Sequence, residues 1–291
     1  MEKSNSLFTL SNLRLDKNLP EIFVVTSGKG GVGKTFMSVN LAILLKQLKK
    51  NILLIDADIH LGNVDLFLGL RPKFSMEDIY RQNMDLRNII ISGPGGIDIL
   101  PATSAVKDLL NNEEDFIRKI GNAFGKLEHE YDIVVVDTGA GVARSVLSFV
   151  LGADKIIVIV TPDPASIADA YGMIKIIRQF HDVTPVVLVA NMVTSEEEGR
   201  SLYNKMNLMV QRFLKSEIHY GGVVLQDPLI PRSIKSQQPA ALDHPHSMPV
   251  NLLKIITRKL LRLPSQDTSQ RAGFFDRFIV NRNIKLREED E

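Results

Sequence analysis

Residues 22–35 run Ile-Phe-Val-Val-Thr-Ser-Gly-Lys-Gly-Gly-Val-Gly-Lys-Thr, an apolar β-branched segment that breaks abruptly into glycine. Such a segment reads as a strand, and the helical pattern that follows it makes the whole a strand–loop–helix unit. From Gly28 to Thr35 the spacing is G-x-x-x-x-G-K-[ST], the pattern of a loop that cradles phosphates. Glycines let the backbone wrap closely round a phosphate, so that successive N–H groups point inward as an anion nest. The following helix adds the positive end of its dipole. Lys34 can bridge the β- and γ-phosphates, and the Thr35 hydroxyl can bind Mg²⁺. The expected nucleotide contacts are Gly28, Lys29, Gly30, Gly31, Val32, Gly33, Lys34, Thr35 and Phe36.

The same alternation continues along the chain. Short apolar runs at 22–26, 52–57, 97–102, 133–137, 155–160, 186–191 and 222–225 are separated by amphipathic stretches at 36–49, 113–128, 166–180, 196–214 and 250–263. Several runs are apolar throughout, as strands buried on both faces of a parallel sheet are. The expected fold is therefore α/β: a doubly wound, mostly parallel sheet with helices on both faces. The expected organisation is a flexible head over 1–20, a phosphate-loop domain over 21–263, a polar linker over 264–272 and an amphipathic tail over 273–291.

Two further strand ends carry acid. Residues 52–57 lead into Asp56-Ala57-Asp58, and acids at this end of a strand lie beside the phosphate loop in a doubly wound sheet. Asp58 can hold or polarise an attacking water, and Asp56 can support a Mg²⁺ ion through water. A carboxylate beside phosphates is costly unless a metal or a proton compensates it, so two of them here carry chemistry. Asp65, further on, reads as a cap or a solvated acid. Ile133-Val-Val-Val136-Asp137 is followed by Thr138-Gly139-Ala-Gly141: Asp137 is a Mg²⁺ residue, and Gly139 and Gly141 let backbone N–H groups approach a γ-phosphate.

Lys29 adds a second lysine at the start of the loop, giving Lys-Gly-Gly-Val-Gly-Lys-Thr over 29–35. With that lysine, Asp56, Asp58 and Asp137, the chain resembles the deviant-Walker-A ATPases of the MinD/ParA superfamily over about residues 20–262. The resemblance implies ATP and Mg²⁺ as cofactors, slow hydrolysis that needs Asp58, and an ATP-dependent homodimer in which Lys29 reaches the partner's nucleotide. It also implies an adenine pocket from Asn191, Asp227 and Pro228. The segments Asp137-Thr-Gly-Ala-Gly141 and Thr161-Pro-Asp-Pro-Ala-Ser-Ile-Ala-Asp-Ala-Tyr171 are most similar to the flagellar-number regulators FlhG, also called FleN or YlxH. That branch implies the flagellar GTPase FlhF, a C-ring component or a transcriptional regulator as partner. Its GTPase-stimulating motif, D-Q-A-x-x-L-R, falls on Phe8 to Arg14 here and keeps only Leu13 and Arg14.

In the tail, Phe274, Phe275, Phe278 and Ile279 fall on one helical stripe among Arg271, Arg277, Arg282, Lys285 and Arg287. Small basic amphipathic helices lie in membrane interfaces. A single copy binds weakly and two copies in a dimer bind by avidity. The expected location is cytoplasmic, with reversible attachment to the cytoplasmic membrane face. Docking of the stripe on the protein's own surface is the other reading.

Composition narrows the rest. The chain has 291 residues, 44% hydrophobic, no cysteine and a formal net charge of +1. Without cysteine there is no disulfide, thiolate metal site or iron–sulfur ligand. The near-neutral charge argues against nucleic-acid binding, and so against a partition ATPase. No run of about 18 apolar residues occurs, and residues 1–20 lack the pattern of a secretory signal. Division-site placement by the same switch is the runner-up, a ParA-type partition ATPase comes next, and a P-loop metabolic enzyme such as dethiobiotin synthetase is a third class. His244 and His246 flank Pro245 with no acid or thiol pattern for a metal and read as a solvated loop.

Overall fold

Strands that are apolar throughout need cover on both faces, and the computed structural model supplies it. It describes residues 19–58, 62–82, 84–102, 123–180 and 184–264. The strands are β1 (Glu21–Thr26), β2 (Ile52–Ala57), β3 (Ile91–Ser92), β4 (Asp98–Leu100), β5 (Ile133–Thr138), β6 (Lys155–Val160), β7 (Val186–Val193) and β8 (His219–Leu225). They form one sheet in the order β3-β4-β2-β5-β1-β6-β7-β8. All neighbours run parallel except β3 against β4. The expected architecture is thus the observed one, and β1 stands at its centre with its C-terminal end between β5 and β6.

Successive strand residues point to opposite faces. Ile22, Val24, Val134, Val136, Ile156 and Val158 enter one core. Phe23, Val25, Ile133, Val135, Ile157 and Ile159 enter the other. Each such side chain is fully buried or nearly so and contributes about 1.5–3 kcal/mol by leaving water. The helices divide in the same way. Those of the second core are α1 (Lys34–Gln47), α2 (Val64–Leu68), α7 (Leu229–Ser236), α8 (Ala240–Asp243) and α9 (Met248–Arg262). Those of the first are α3 (Met76–Gln82), α4 (Arg144–Leu151), α5 (Pro164–Phe180) and α6 (Glu196–Met209).

Three differences from the sequence reading have local causes. Helix α1 is not amphipathic: every residue from Phe36 to Leu45 is buried, because α9, α8 and α2 cover the side away from the sheet. Strand β3 was not expected, since two residues leave no apolar run to recognise. Helix α6 gives way at Val210–Leu214 to a π turn, ended by Lys215 in the left-handed region. The expected helix over 113–128 lies largely outside the described residues, as do the head over 1–18 and the tail from 265 onward.

Candidate functional site

The phosphate loop occupies Ser27 to Gly33, between β1 and α1. Gly33 has φ +93°, and a Cβ there would meet Asn191 Nδ2 at 2.4 Å. A Cβ on Gly28 would meet the Asp169 backbone of α5 at 2.2 Å. The glycines therefore answer to both conformation and close approach, which a sequence pattern alone does not distinguish. Gly30 and Gly31 have open space where a side chain would be. Val32 and Phe36 are both 3% exposed. Phe36 turns its ring edge-on to Phe67, with centroids 6.5 Å apart. Its side chain belongs to the core, which leaves only its backbone N–H for a phosphate.

Within the loop, Lys34 Nζ donates to Ser27 Oγ at 3.1 Å. Burial lowers the Lys34 pKa, while Asp137 and Asp58 act to raise it. Thr35 Oγ1 donates to Asp137 Oδ2 at 2.7 Å, and Ser38 Oγ donates to Asp137 Oδ1 at 2.7 Å. The Asp137 carboxyl is nevertheless pushed up to about 6, chiefly by burial, with those two hydrogen bonds and Lys34 pulling the other way. Asp56 stands in register beside it on β2. Burial and the neighbouring Asp137 push Asp56 up to about 7. Its Oδ1 accepts the Asp58 N–H at 3.1 Å, and its Oδ2 accepts those of Asn63 and Val64 at 2.9 and 3.0 Å. Asp56 thus clasps the backbone that runs from β2 into α2.

These groups fit a divalent cation. Thr35 Oγ1 and the Asp137 carboxylate are hard oxygen donors already in contact, and Asp56 stands beside Asp137. A cation there would offset the burial and the neighbouring negative charge that push both acids up. Asp58 lies across from the loop after β5: a Cβ on Gly139 would stand 3.4 Å from Asp58 Oδ1. Gly141 donates its N–H to Ser27 O at 3.0 Å, which ties that loop to the phosphate loop. Asp65 accepts the Leu66 N–H at 2.7 Å within the first turn of α2.

The residues expected around adenine stand at the ends of β7 and β8. Asn191 is 4% exposed. Its Nδ2 donates to Val32 O at 2.7 Å, and its Oδ1 accepts the Met192 N–H at 2.9 Å. Asn191 thereby ties the end of β7 to the phosphate loop. Asp227 Oδ1 accepts the Leu229 N–H at 2.8 Å, with Pro228 at the cap of α7. Three residues near this site escaped the sequence reading. Ser38 follows the motif by three positions, and the motif does not include it. Asp163 sits beside Lys29 at 2.5 Å. Met192 holds φ 57° in a bulge of β7. The stripe Phe274, Phe275, Phe278 and Ile279 lies outside the described residues.

Comparison with known proteins agrees with the fold. Residues 23–240 match the family described as the CobQ/CobB/MinD/ParA nucleotide binding domain. The chain is 35% identical to the antiactivator FleN of Pseudomonas aeruginosa over 261 residues, 89% of this chain and 93% of that protein. It is 31% identical to the flagellum site-determining protein YlxH of Helicobacter pylori over 246 residues, 81% and 83% of the two chains. Among solved structures it is similar to the MinC:MinD cell division protein complex of Aquifex aeolicus, with TM-score 0.66, 26% identity and coverage of 87% and 99%.

Proposed function

The chain belongs to the CobQ/CobB/MinD/ParA nucleotide-binding family, and on that premise we propose that it is an ATP-driven dimerisation switch that regulates flagellar number or placement. The observation that carries the reading is the position of Lys29. It stands half exposed at the mouth of the loop, while Lys34 is drawn into the loop against Ser27. One lysine serves the phosphates of its own loop, and the other, paired with Asp163 at the surface, stands where a second copy can reach it. The likeness to FleN and YlxH over most of both chains supports the flagellar role over division-site placement.

Mg²⁺, when bound with ATP, would neutralise charge on the transferring phosphoryl group. Thr35 and Asp137 would hold it. Lys34 draws the β- and γ-phosphates into the loop, and the N–H groups of the loop and of α1 orient them. Asp58 accepts a proton from, or orients, the water that attacks. Gly139 and Gly141 let their loop close on a γ-phosphate, and the Gly141–Ser27 bond transmits that closure to the phosphate loop. Turnover without a partner is slow, because positioning is incomplete in one copy.

Membrane attachment is the second half of the proposal. Among the described residues no helix is long and apolar enough to cross a membrane. Attachment would come from the stripe of Phe274, Phe275, Phe278 and Ile279, doubled in the dimer. Asp58→Ala with ATP and anionic liposomes tests both halves. The variant should form a stable dimer by light scattering and sediment with the liposomes. The same variant truncated after Leu263 should dimerise and stay in solution. A variant that remains monomeric at saturating ATP overturns the switch, and sedimentation of the truncated chain overturns the anchor.

A further inference from the structure

The ammonium of Lys29 is not idle. It donates to Asp163 Oδ2 at 2.5 Å, across 134 residues of chain, and both side chains are 44% exposed. Both ends of this pair are fixed by backbone. Asp163 Oδ1 accepts the Ala165 N–H at 3.3 Å, and the Asp163 carbonyl accepts that of Ile167 at 3.1 Å, so the acid is built into the first turn of α5. On the other side, the Lys29 carbonyl accepts the Ser27 hydroxyl at 2.7 Å, and Gly28 abuts the Asp169 backbone. Asp169 adds a second negative charge facing the lysine. The loop mouth and α5 are docked together, and the charge of Lys29 is met within its own chain.

A lysine that serves the nucleotide of another copy must first leave this carboxylate. We infer that Asp163 is a positioning residue that holds Lys29 in cis, so that the triphosphate of a second copy has to displace it and Asp163 thereby sets the ATP threshold for dimerisation. A triphosphate outbids it, because it brings several negative charges where Asp163 brings one. ADP lacks the γ-phosphate and leaves the cis pair in place. The inference rests on the trans role of Lys29 proposed above. An ion pair this exposed is worth little in water, at most about fivefold in an equilibrium constant. It can tune a threshold and cannot lock the protein.

Asp163→Asn keeps the shape and the acceptor for the Ala165 N–H, so the turn of α5 survives. It should lower the ATP concentration for half-maximal dimerisation by about two- to fivefold at low salt, and by less at 0.5 M salt, where the pair is screened. Asp163→Glu should restore the threshold. A separate measurement reads the contact alone. Acylation of the nucleotide-free monomer, followed by peptide mass spectrometry, should label Lys29 faster in Asp163→Asn than in the parent chain, with exposed Lys205 as the internal reference. Unchanged labelling of Lys29, or a threshold that stays put or rises, overturns the assignment. A Lys29→Ala variant that dimerises normally sinks the trans role, and the threshold with it, while the labelling ratio still reports the cis pair.

Discussion

The two edges of the sheet both bury charge, and they do so in opposite ways. At the N-terminal edge, Lys155 is 1% exposed, meets Glu21 at 2.5 Å and lies 4.9 Å from the centre of the Phe23 ring. Beside it, Asp154 accepts the Ile22 N–H at 2.8 Å. There a buried charge touches its opposite, and β6 is pinned to β1. At the C-terminal edge, Asp56 and Asp137 are neighbours in register, and burial pushes both up, with Asp137 adding its charge against Asp56 and Asp58 adding its own against Asp137. Buried charge that joins strands is satisfied by the chain itself. Buried charge that serves chemistry is arranged for a ligand to complete, and its acids are held far from their ordinary values.

Removing a lysine from each edge should therefore do opposite things. Lys34→Ala should cut turnover by about 100-fold or more and leave the denaturation midpoint near that of the parent. Lys155→Ala should remove the buried half of the Lys155–Glu21 ion pair with its stem and cost about 3 kcal/mol of stability, with the ATP affinity of the folded protein unchanged. Urea denaturation and calorimetric ATP titration of both variants check this. If Lys155→Ala weakened ATP binding at full folding, the two edges would not be separable.

The acid pair gives a pH test that only the C-terminal edge should pass. Asp56 is held up to about 7, whereas an unfolded aspartate titrates near 4. The folded chain keeps that proton where the unfolded chain loses it. The resulting stability is complete below about pH 4 and is lost as pH rises through about 7. In metal-free buffer, the stability of the parent chain relative to Asp56→Asn should fall by about 2 kcal/mol between pH 5 and pH 7. A pH-independent difference in urea midpoints would mean that Asp56 is charged throughout.

The smallest effect concerns strain. Met192 is the exposed residue of β7, carries φ 57° and sits in the bulge beside Asn191, also at the C-terminal edge. A non-glycine residue in the left-handed region costs free energy that the surrounding structure must over-determine. Met192→Gly should raise stability by about 0.5 kcal/mol, seen as a small rise in the thermal midpoint without nucleotide. A lower midpoint would show that the methionine side chain packs usefully where it stands.

Much of this molecule was legible before any coordinates. The all-apolar runs announced strands with two covered faces, and the strands formed where they were expected. Gly28 to Thr35 announced a phosphate loop, because that loop is made by local backbone conformation. Short elements were not legible: α2 has five residues and β3 has two, fewer than a period needs to declare itself. Burial of α1 on every side was not legible either, since it depends on what α9 and α8 bring against it.

Sequence by itself determined the strand–helix alternation, the loop and the three acids at strand ends, because hydrophobic period and turn chemistry are written in neighbouring residues. Tertiary structure alone decided the partners. Asn191 reaches Val32 across 159 residues, Ser38 reaches Asp137 across 99, and Lys29 reaches Asp163 across 134. The physical reason is the strand order. With β5 on one side of β1 and β6 and β7 on the other, segments far apart in the chain end at one edge. Hydrogen bonds of about 3 Å are then set by which strand lies beside which, and no local pattern encodes that.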